Sequence, residues 1–215
     1  ASSLLTSGYA MLETKFLPSL RAIYGLRVEN YNQKLTSAAG PFENPTKIGI
    51  DTTWLDLLPS LNLIYAVNEK TNLRGSYSRT LSRPEFREFA PLAFFDFTRN
   101  SIFLGNINLT RARIDNFDLK LEYYPKPGYT FSINPFYKSF TNPIVYILQP
   151  AQGYAQITLD NAKSAVTGGV EFEARVGFSE STSNVLKNLT AFGNLAVIYS
   201  RVDQSNFKVT QTSVD

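Results

Sequence analysis

An all-β fold is what this sequence predicts: an antiparallel, up-and-down transmembrane β-barrel segment of about eight strands. Three observations predict it. Connections alternate between very short and long. Tight turns fall at Leu17-Pro18-Ser19, Asn68-Glu69-Lys70 and Pro125-Lys126-Pro127-Gly128, and polar stretches run near 35–50, 82–113 and 141–163. Short turns at one end of a meander and long loops at the other are the layout of an outer-membrane barrel. The segments between are amphipathic with period two. At about 10–14 residues they exceed the usual ~5–6 of soluble strands and satisfy the ~9–11 needed to cross a bilayer at a tilt. Finally, aromatic side chains gather at both ends of these segments.

The segment 9–16 reads as the first strand. In 20–29, Leu20, Ala22, Tyr24, Leu26 and Val28 share one face, and Arg21, Gly25, Arg27 and Glu29 share the other. Weaker alternation marks 61–67 and 72–81. In 117–124, Phe117, Leu119, Leu121 and Tyr123 stand against Asp118, Lys120, Glu122 and Tyr124. The stretch 129–138 follows. Then Val170, Phe172, Ala174, Val176 and Phe178 oppose Glu171, Glu173, Arg175 and Gly177, and 189–200 closes the series. Such alternation marks strands with one apolar and one polar face. Asn142-Pro143 and Ser82-Arg83-Pro84 mark where strands give way to loops.

Phe16, Tyr65, Tyr123, Tyr129 and Phe178 lie beside the short turns, and Tyr31, Phe117, Tyr137 and Tyr199 near the long-loop ends. Two aromatic belts around an aliphatic band are what membrane interfaces select, although Tyr and Phe are also good strand formers. The chain has 215 residues, 43% hydrophobic, with 12 Tyr and 16 Phe, and no stretch nears the roughly 20 apolar residues of a membrane helix. It has no Cys and no His, which removes the commonest zinc ligands, thiol nucleophiles and imidazole bases. No catalytic residue, metal site or cofactor is expected. The net charge of +3 comes from scattered basic residues, so nucleic acid is not an expected partner. The start at Ala1-Ser2-Ser3 leads us to expect that an export signal was cleaved or lies upstream.

The run from Glu69-Lys70-Thr71-Asn72-Leu73-Arg74 through Ser76-Tyr77-Ser78-Arg79-Thr80-Leu81-Ser82-Arg83-Pro84 to Glu85-Phe86-Arg87-Glu88 resembles a barrel strand of TonB-dependent outer-membrane receptors, especially the Bacteroidetes-type group, as it climbs into an extracellular loop. Similar to the family, too, are Leu58-Pro59-Ser60-Leu61-Asn62-Leu63, Asn116-Phe117-Asp118-Leu119-Lys120-Leu121-Glu122-Tyr123-Tyr124-Pro125 and Phe136-Tyr137-Lys138-Ser139-Phe140-Thr141-Asn142-Pro143-Ile144. The resemblance covers about 10–200 and is densest over 58–144. One departure is Gly105-Asn106-Ile107-Asn108, where many relatives carry Pro after Gly-Asn.

The resemblance implies a barrel of ~22 strands around an N-terminal plug. Residues 1–215 would be part of that barrel domain, with the plug absent from this chain, no recognisable TonB box, and no terminal aromatic strand after Thr212-Ser213-Val214-Asp215. It implies the outer membrane of a Gram-negative bacterium and energised uptake of a large nutrient: a siderophore, a cobalamin or an oligosaccharide. The implied partners are outer-membrane lipid, the remainder of the same receptor (plug and other strands) and a TonB-type periplasmic energy-coupling protein. A surface lipoprotein is a further candidate partner. Two rivals stand beside this reading: an autonomous eight-stranded barrel with a structural or adhesive role, and a soluble β-sandwich binding carbohydrate.

In an intact receptor, Arg21, Arg27, Glu29, Arg74, Lys120, Glu122, Glu171, Glu173 and Arg175, which share the non-aliphatic parity, would face the lumen and meet the plug or line the substrate path. Any water-facing wall also carries charges. Glu171 and Glu173 lie two apart on one face. A carboxylate pair of the right separation supports glycoside hydrolysis, but a polar wall is the favoured reading. The loop 82–113 carries Phe89, Phe94, Phe95, Asp96, Phe97 and Arg99, and the loop 141–163 carries Tyr146, Tyr154 and Gln156. Phe94, Phe95, Asp96, Phe97, Arg99, Tyr146 and Tyr154 are therefore the candidate ligand-binding residues. Their rings serve either to stack on sugar or siderophore or to hold a long loop together.

Overall fold

A computed structural model describes residues 1–39, 46–98, 100–149, 153–178 and 188–207. In chain order its elements are β1 (Ser2–Leu17), β2 (Leu20–Ala39), β3 (Thr46–Asn68), β4 (Thr71–Ser82), α1 (Phe86–Phe89), β5 (Ala93–Asp96), β6 (Ser101–Leu104), β7 (Ala112–Tyr123), β8 (Tyr129–Thr141), β9 (Ile144–Gln149), β10 (Ala155–Asn161), β11 (Ser164–Gly177) and β12 (Thr190–Asp203). Eight of them form one sheet in the order β1-β2-β3-β4-β7-β8-β11-β12, every neighbour antiparallel. The sheet is open: among the described residues β1 and β12 do not pair with each other, so the described wall is not a closed eight-stranded barrel. The other four strands form a separate sheet, β5-β6-β10-β9.

The short turns form for local reasons. The Asn68 side-chain oxygen accepts the Lys70 N–H at 2.9 Å, an Asx turn that reverses the chain between β3 and β4. Between β7 and β8 the chain reverses at Gly128, which sits at φ +81 and whose carbonyl accepts the Gly177 N–H at 2.9 Å. Proline sets where ladders stop. Pairing of β3 with β4 ends at Ser60↔Ser78, next to Pro59, which has no N–H to give. The β7–β8 ladder is interrupted between Leu121↔Ile133 and Asp118↔Phe136, around Pro135.

The polarity of the sheet is inverted relative to a water-soluble protein. On one face Leu57 is 55% exposed and Leu119 48% exposed, with Leu12, Leu63, Leu121, Ile133, Phe172 and Leu195 likewise exposed. On the other, Glu29, Asp56 and Glu122 are buried. A β-sandwich needs apolar faces that meet each other; here the apolar face stands bare, as lipid requires. The cluster of fully buried apolar side chains, Phe89, Phe103, Leu109 and Leu159, lies in the segments after β4 and β8.

Three expectations need correction. Strands β2 and β3 run 20 and 23 residues, well beyond the expected length. Past the apolar band they continue as a polar ribbon, in which Asn32 Nδ2 donates to Thr53 Oγ1 at 2.8 Å and Lys34 Nζ pairs with Asp51 at 2.9 Å. The stretches 82–113 and 141–163 are not plain loops but carry α1 and the second sheet. Tyr31 does not belong to an aromatic belt. It lies on the charged face, stacked on Trp54 with centroids 6.0 Å apart and planes 7° off parallel.

Leu119 sits near the middle of the apolar band, so a charge there meets hydrocarbon. Leu119→Arg is expected to destabilise the protein in phospholipid vesicles by about 2–4 kcal/mol, measured by denaturant unfolding. An unchanged stability contradicts a lipid-facing band.

Candidate functional site

Strand register puts all nine predicted charged residues on one face of the sheet. Arg21 stands opposite Ile64, Ile64 opposite Arg74, and Arg74 opposite Lys120. Asn72 stands opposite Glu122, Ser132 opposite both Glu122 and Glu173, Asn134 opposite Glu171, and Thr130 opposite Arg175. Glu29 faces Asp56, and Arg27 faces Leu58.

Two networks form on this face, one around Arg74, Lys120, Glu122 and Glu173 and one around Arg27 and Glu29. Toward the short turns, Arg74 Nε donates to Glu122 at 2.7 Å, and Lys120 Nζ lies 3.8 Å from Glu122 and 3.6 Å from Glu173. Ser132 Oγ donates to Glu173 at 3.5 Å and Asn134 Nδ2 to Glu171 at 3.2 Å. Both glutamates are thus engaged with wall partners, the arrangement of a structural polar surface. At the edge of the sheet, Arg21 pairs with Glu13 at 3.2 Å.

The second network lies toward the long loops. Arg27 Nε donates to Glu29 at 2.6 Å and its Nη2 to Ser7 at 2.9 Å. Arg83 Nη2 bridges Glu29 at 2.8 Å and Asp56 at 3.1 Å, and Arg111 Nε donates to Asp56 at 2.6 Å. A buried carboxylate such as Asp56 is tolerable only when paired and hydrogen-bonded. Its two arginines come from opposite ends of the segment between β4 and β7, so the pairing fastens both ends of that segment to the wall. The same arginines lie over rings, Arg83 over Tyr31 at 4.8 Å and Arg111 over Trp54 at 5.6 Å.

Above this fastening the second sheet is assembled from two segments distant in sequence. Phe89 of α1 stacks on Trp54, centroids 6.5 Å apart, and Leu35, Ile50 and Trp54 of the wall pack against the buried cluster. The second sheet therefore rests on the charged face. Strand β6 pairs with β10 in parallel, the one parallel ladder among the described residues, and joins the two segments directly. Asn106 reinforces the join: its side-chain amide donates to the Leu159 carbonyl at 3.0 Å and its oxygen accepts the Asn108 N–H at 2.9 Å. Asn161 does the same from the other side, donating to the Thr110 and Asn142 carbonyls at 2.9 and 2.8 Å. Gly105 is needed because the chain passes so close to Ala90 and Glu88 that a Cβ would overlap their backbone.

The candidate ligand residues separate. Phe94 stacks on Phe103 at 4.8 Å, with Arg87 over both rings, and so helps to hold the loop. Phe95, Phe97 and Tyr154 come together from the two segments: Phe95 meets each of the other rings edge-on at 5.0 Å. Phe97 is 87% exposed and Tyr154 50%. Tyr146 is exposed and meets Phe103 edge-on at 6.5 Å. Asp96 accepts the Thr98 N–H at 2.9 Å and so serves the turn after β5. Arg99 lies outside the described residues. Sequence reading missed Trp54, Asp56, Arg83, Arg111, Asn106 and Asn161. The parity of Trp54 and Asp56 opposite Tyr31 and Glu29 is the one signal that pointed to two of them.

A family model described as TonB dependent receptor-like, beta-barrel, matches residues 2–214. The chain belongs to that family. Solved structures of similar fold include the siderophore receptor PirA from Pseudomonas aeruginosa, 17% identical over 93% of this chain and 43% of that one, with a TM-score of 0.59. The ferric yersiniabactin uptake receptor FyuA from Yersinia pestis is 17% identical over 93% of this chain and 27% of its own, with a TM-score of 0.66. The copper transporter OprC is 14% identical over 94% and 30%, also at 0.66. The chain thus spans less than half the length of each of these structures. No curated protein sequence matches it. TonB-dependent receptors are outer-membrane transporters and receptors, and the inverted polarity of the sheet fits that setting.

Among the described residues, Arg83 is the single group shared by both buried carboxylates of this receptor's upper network. Arg83→Ala leaves Glu29 and Asp56 under-compensated and should free the second sheet. Amide exchange over 101–104 and 155–159 is expected to rise by about tenfold or more, with β7 and β8 unchanged. Equal exchange in the two proteins counts against the fastening.

Proposed function

We propose that this chain forms part of the wall and extracellular loops of a receptor that takes up a large, scarce nutrient, energised by a TonB-type periplasmic protein. The rest of the receptor would supply the plug and the remaining strands, with β1 and β12 as the edges those strands continue. The apolar face meets lipid. Arg21, Arg27, Glu29, Arg74, Lys120, Glu122, Glu171, Glu173 and Arg175 face the lumen, where charge-assisted hydrogen bonds hold the plug or pass the substrate.

The observation that supports this reading is the seat of the second sheet on the charged face, a sheet whose neighbouring segments bring together the exposed rings of Phe97 and Tyr154, buttressed by Phe95. Capture there needs no covalent chemistry: a ligand with a flat face, a siderophore, a cobalamin or an oligosaccharide, lies against the rings. The similar folds named for siderophore, ferric chelate and copper transport favour a metal chelate among these.

The test is binding by the full-length receptor across a panel of ferric siderophores, cobalamin and oligosaccharides, followed by calorimetry. Phe97→Ala and Tyr154→Ala are each expected to weaken the ligand by about tenfold, the loss of one ring contact. Uptake in cells is expected to stop when the TonB-type protein is deleted. Unchanged affinity in both variants removes these rings from the site, and uptake that survives the deletion removes the energised mechanism.

A further inference from the structure

On β4 and β7 the hydrophobic run of the apolar face ends, toward the long loops, at Tyr77 and Phe117, whose rings lie 5.0 Å apart, while on β3 it continues through the exposed Leu57 and Leu55. The next same-face positions on β4 and β7 are charged, Arg79 and Asp115. Register sets Arg79 opposite Asp115 and Leu81 opposite Arg113. At this level β3 and β4 have already parted, because their ladder ends at Ser60↔Ser78. The parting leaves a cleft of about 220 Å³ lined by Leu55, Asp56, Leu57, Arg79, Leu81 and Arg113.

The cleft has apolar walls and two guanidiniums. Arg79 is held in place by Asp115, whose carboxylate accepts Arg79 Nε at 2.9 Å and the Tyr77 hydroxyl at 2.7 Å. Arg113 is exposed. Asp56, at the floor, is compensated from the opposite face by Arg83 and Arg111 at 3.1 and 2.6 Å. Around the cleft, Arg79, Arg83, Arg111 and Arg113 outnumber Asp56, Asp115 and Glu29, so the local excess is positive. A guanidinium's planar fork matches phosphate geometry. The level just beyond an aromatic belt is where lipid head groups begin.

We propose that this cleft binds an anionic, phosphate-bearing lipid of the outer leaflet, its phosphate on Arg113 and Arg79 and an acyl chain along Leu55 and Leu57. The proposal rests on the membrane placement given above. It assigns the cleft a ligand of its own, separate from the transported nutrient, and gives a role to two arginines that stand on the lipid-facing parity.

Full-length receptor in a neutral detergent is titrated with dioleoyl phosphatidic acid or with dioleoylglycerol, and bound lipid is counted by native mass spectrometry. Phosphatidic acid is expected to be retained and dioleoylglycerol not. Arg113→Gln is expected to weaken phosphatidic acid by about tenfold, the loss of one charged hydrogen-bond donor. Lys163→Gln, remote from the cleft, is expected to bind as the parent does. Equal retention of the two lipids, or an Arg113→Gln receptor that binds like the parent, overturns the site. Complete displacement of the lipid by millimolar inorganic phosphate overturns it too, since the cleft then takes a free anion. Failure of the membrane placement reads differently: the receptor then stays soluble when detergent is removed.

Discussion

A strand in hydrocarbon must have every backbone donor and acceptor paired by its neighbours, because no water is present to take their place. That constraint orders the rest of this structure. It requires long, uninterrupted antiparallel ladders such as the one joining β11 to β12 from Ser164↔Asp203 to Gly177↔Thr190. It also turns side-chain polarity inside out. Leucines 57, 119 and 121 stand exposed, and the carboxylates of Glu29, Asp56 and Glu122 are buried. In water such an arrangement is unfavourable on both faces. With lipid on one side and a polar lumen on the other it is favourable on both.

The buried carboxylates have a second consequence. Each needs a cation close by: near the long loops Glu29 has Arg27 of its own strand and Arg83, and Asp56 has Arg83 and Arg111, from the two ends of one loop segment. Satisfying Asp56 therefore fixes the loop segment, which brings Phe89 onto Trp54 and seats the second sheet on the charged face. The parallel β6–β10 ladder then carries the constraint into the other long loop. Electrostatic satisfaction of the wall and placement of the exposed ring cluster are one problem with one solution. The same parting of β3 from β4 that lets the loop segment fold over the charged face opens the cleft at Arg79 and Arg113 on the other.

The eight wall strands were legible in the sequence because two different solvents, one on each side, impose a period-two pattern that composition alone does not produce. Where that contrast ends, so does the signal. The upper halves of β2 and β3 have polar groups on both sides, Asn32, Lys34, Asp51 and Thr53 on one and Gln33 and Thr52 on the other, and their alternation fades although their ladder continues. Strands β5 and β6 are four residues long, too short for any period. Tyr31 carried its own correction, since its odd number shares parity with Arg27 and Glu29. The fastening by Arg83 and Arg111 was not legible, because their partner Asp56 is 27 and 55 residues away in the chain. Of the candidate ligand residues, composition marked the aromatic loop, but only the fold separates Phe94, which packs inward, from Phe97, which does not.

The central claim is the sidedness of the sheet, and the chain has no cysteine of its own to interfere with labelling. Single cysteines placed in turn at positions 117 to 122 of the full-length receptor, spin-labelled in vesicles, report lipid and water access through relaxation by oxygen and by a polar nickel complex. Positions 117, 119 and 121 are expected to favour oxygen, and 118, 120 and 122 the nickel complex, in strict alternation. A uniform response along β7, or the opposite alternation, contradicts the account.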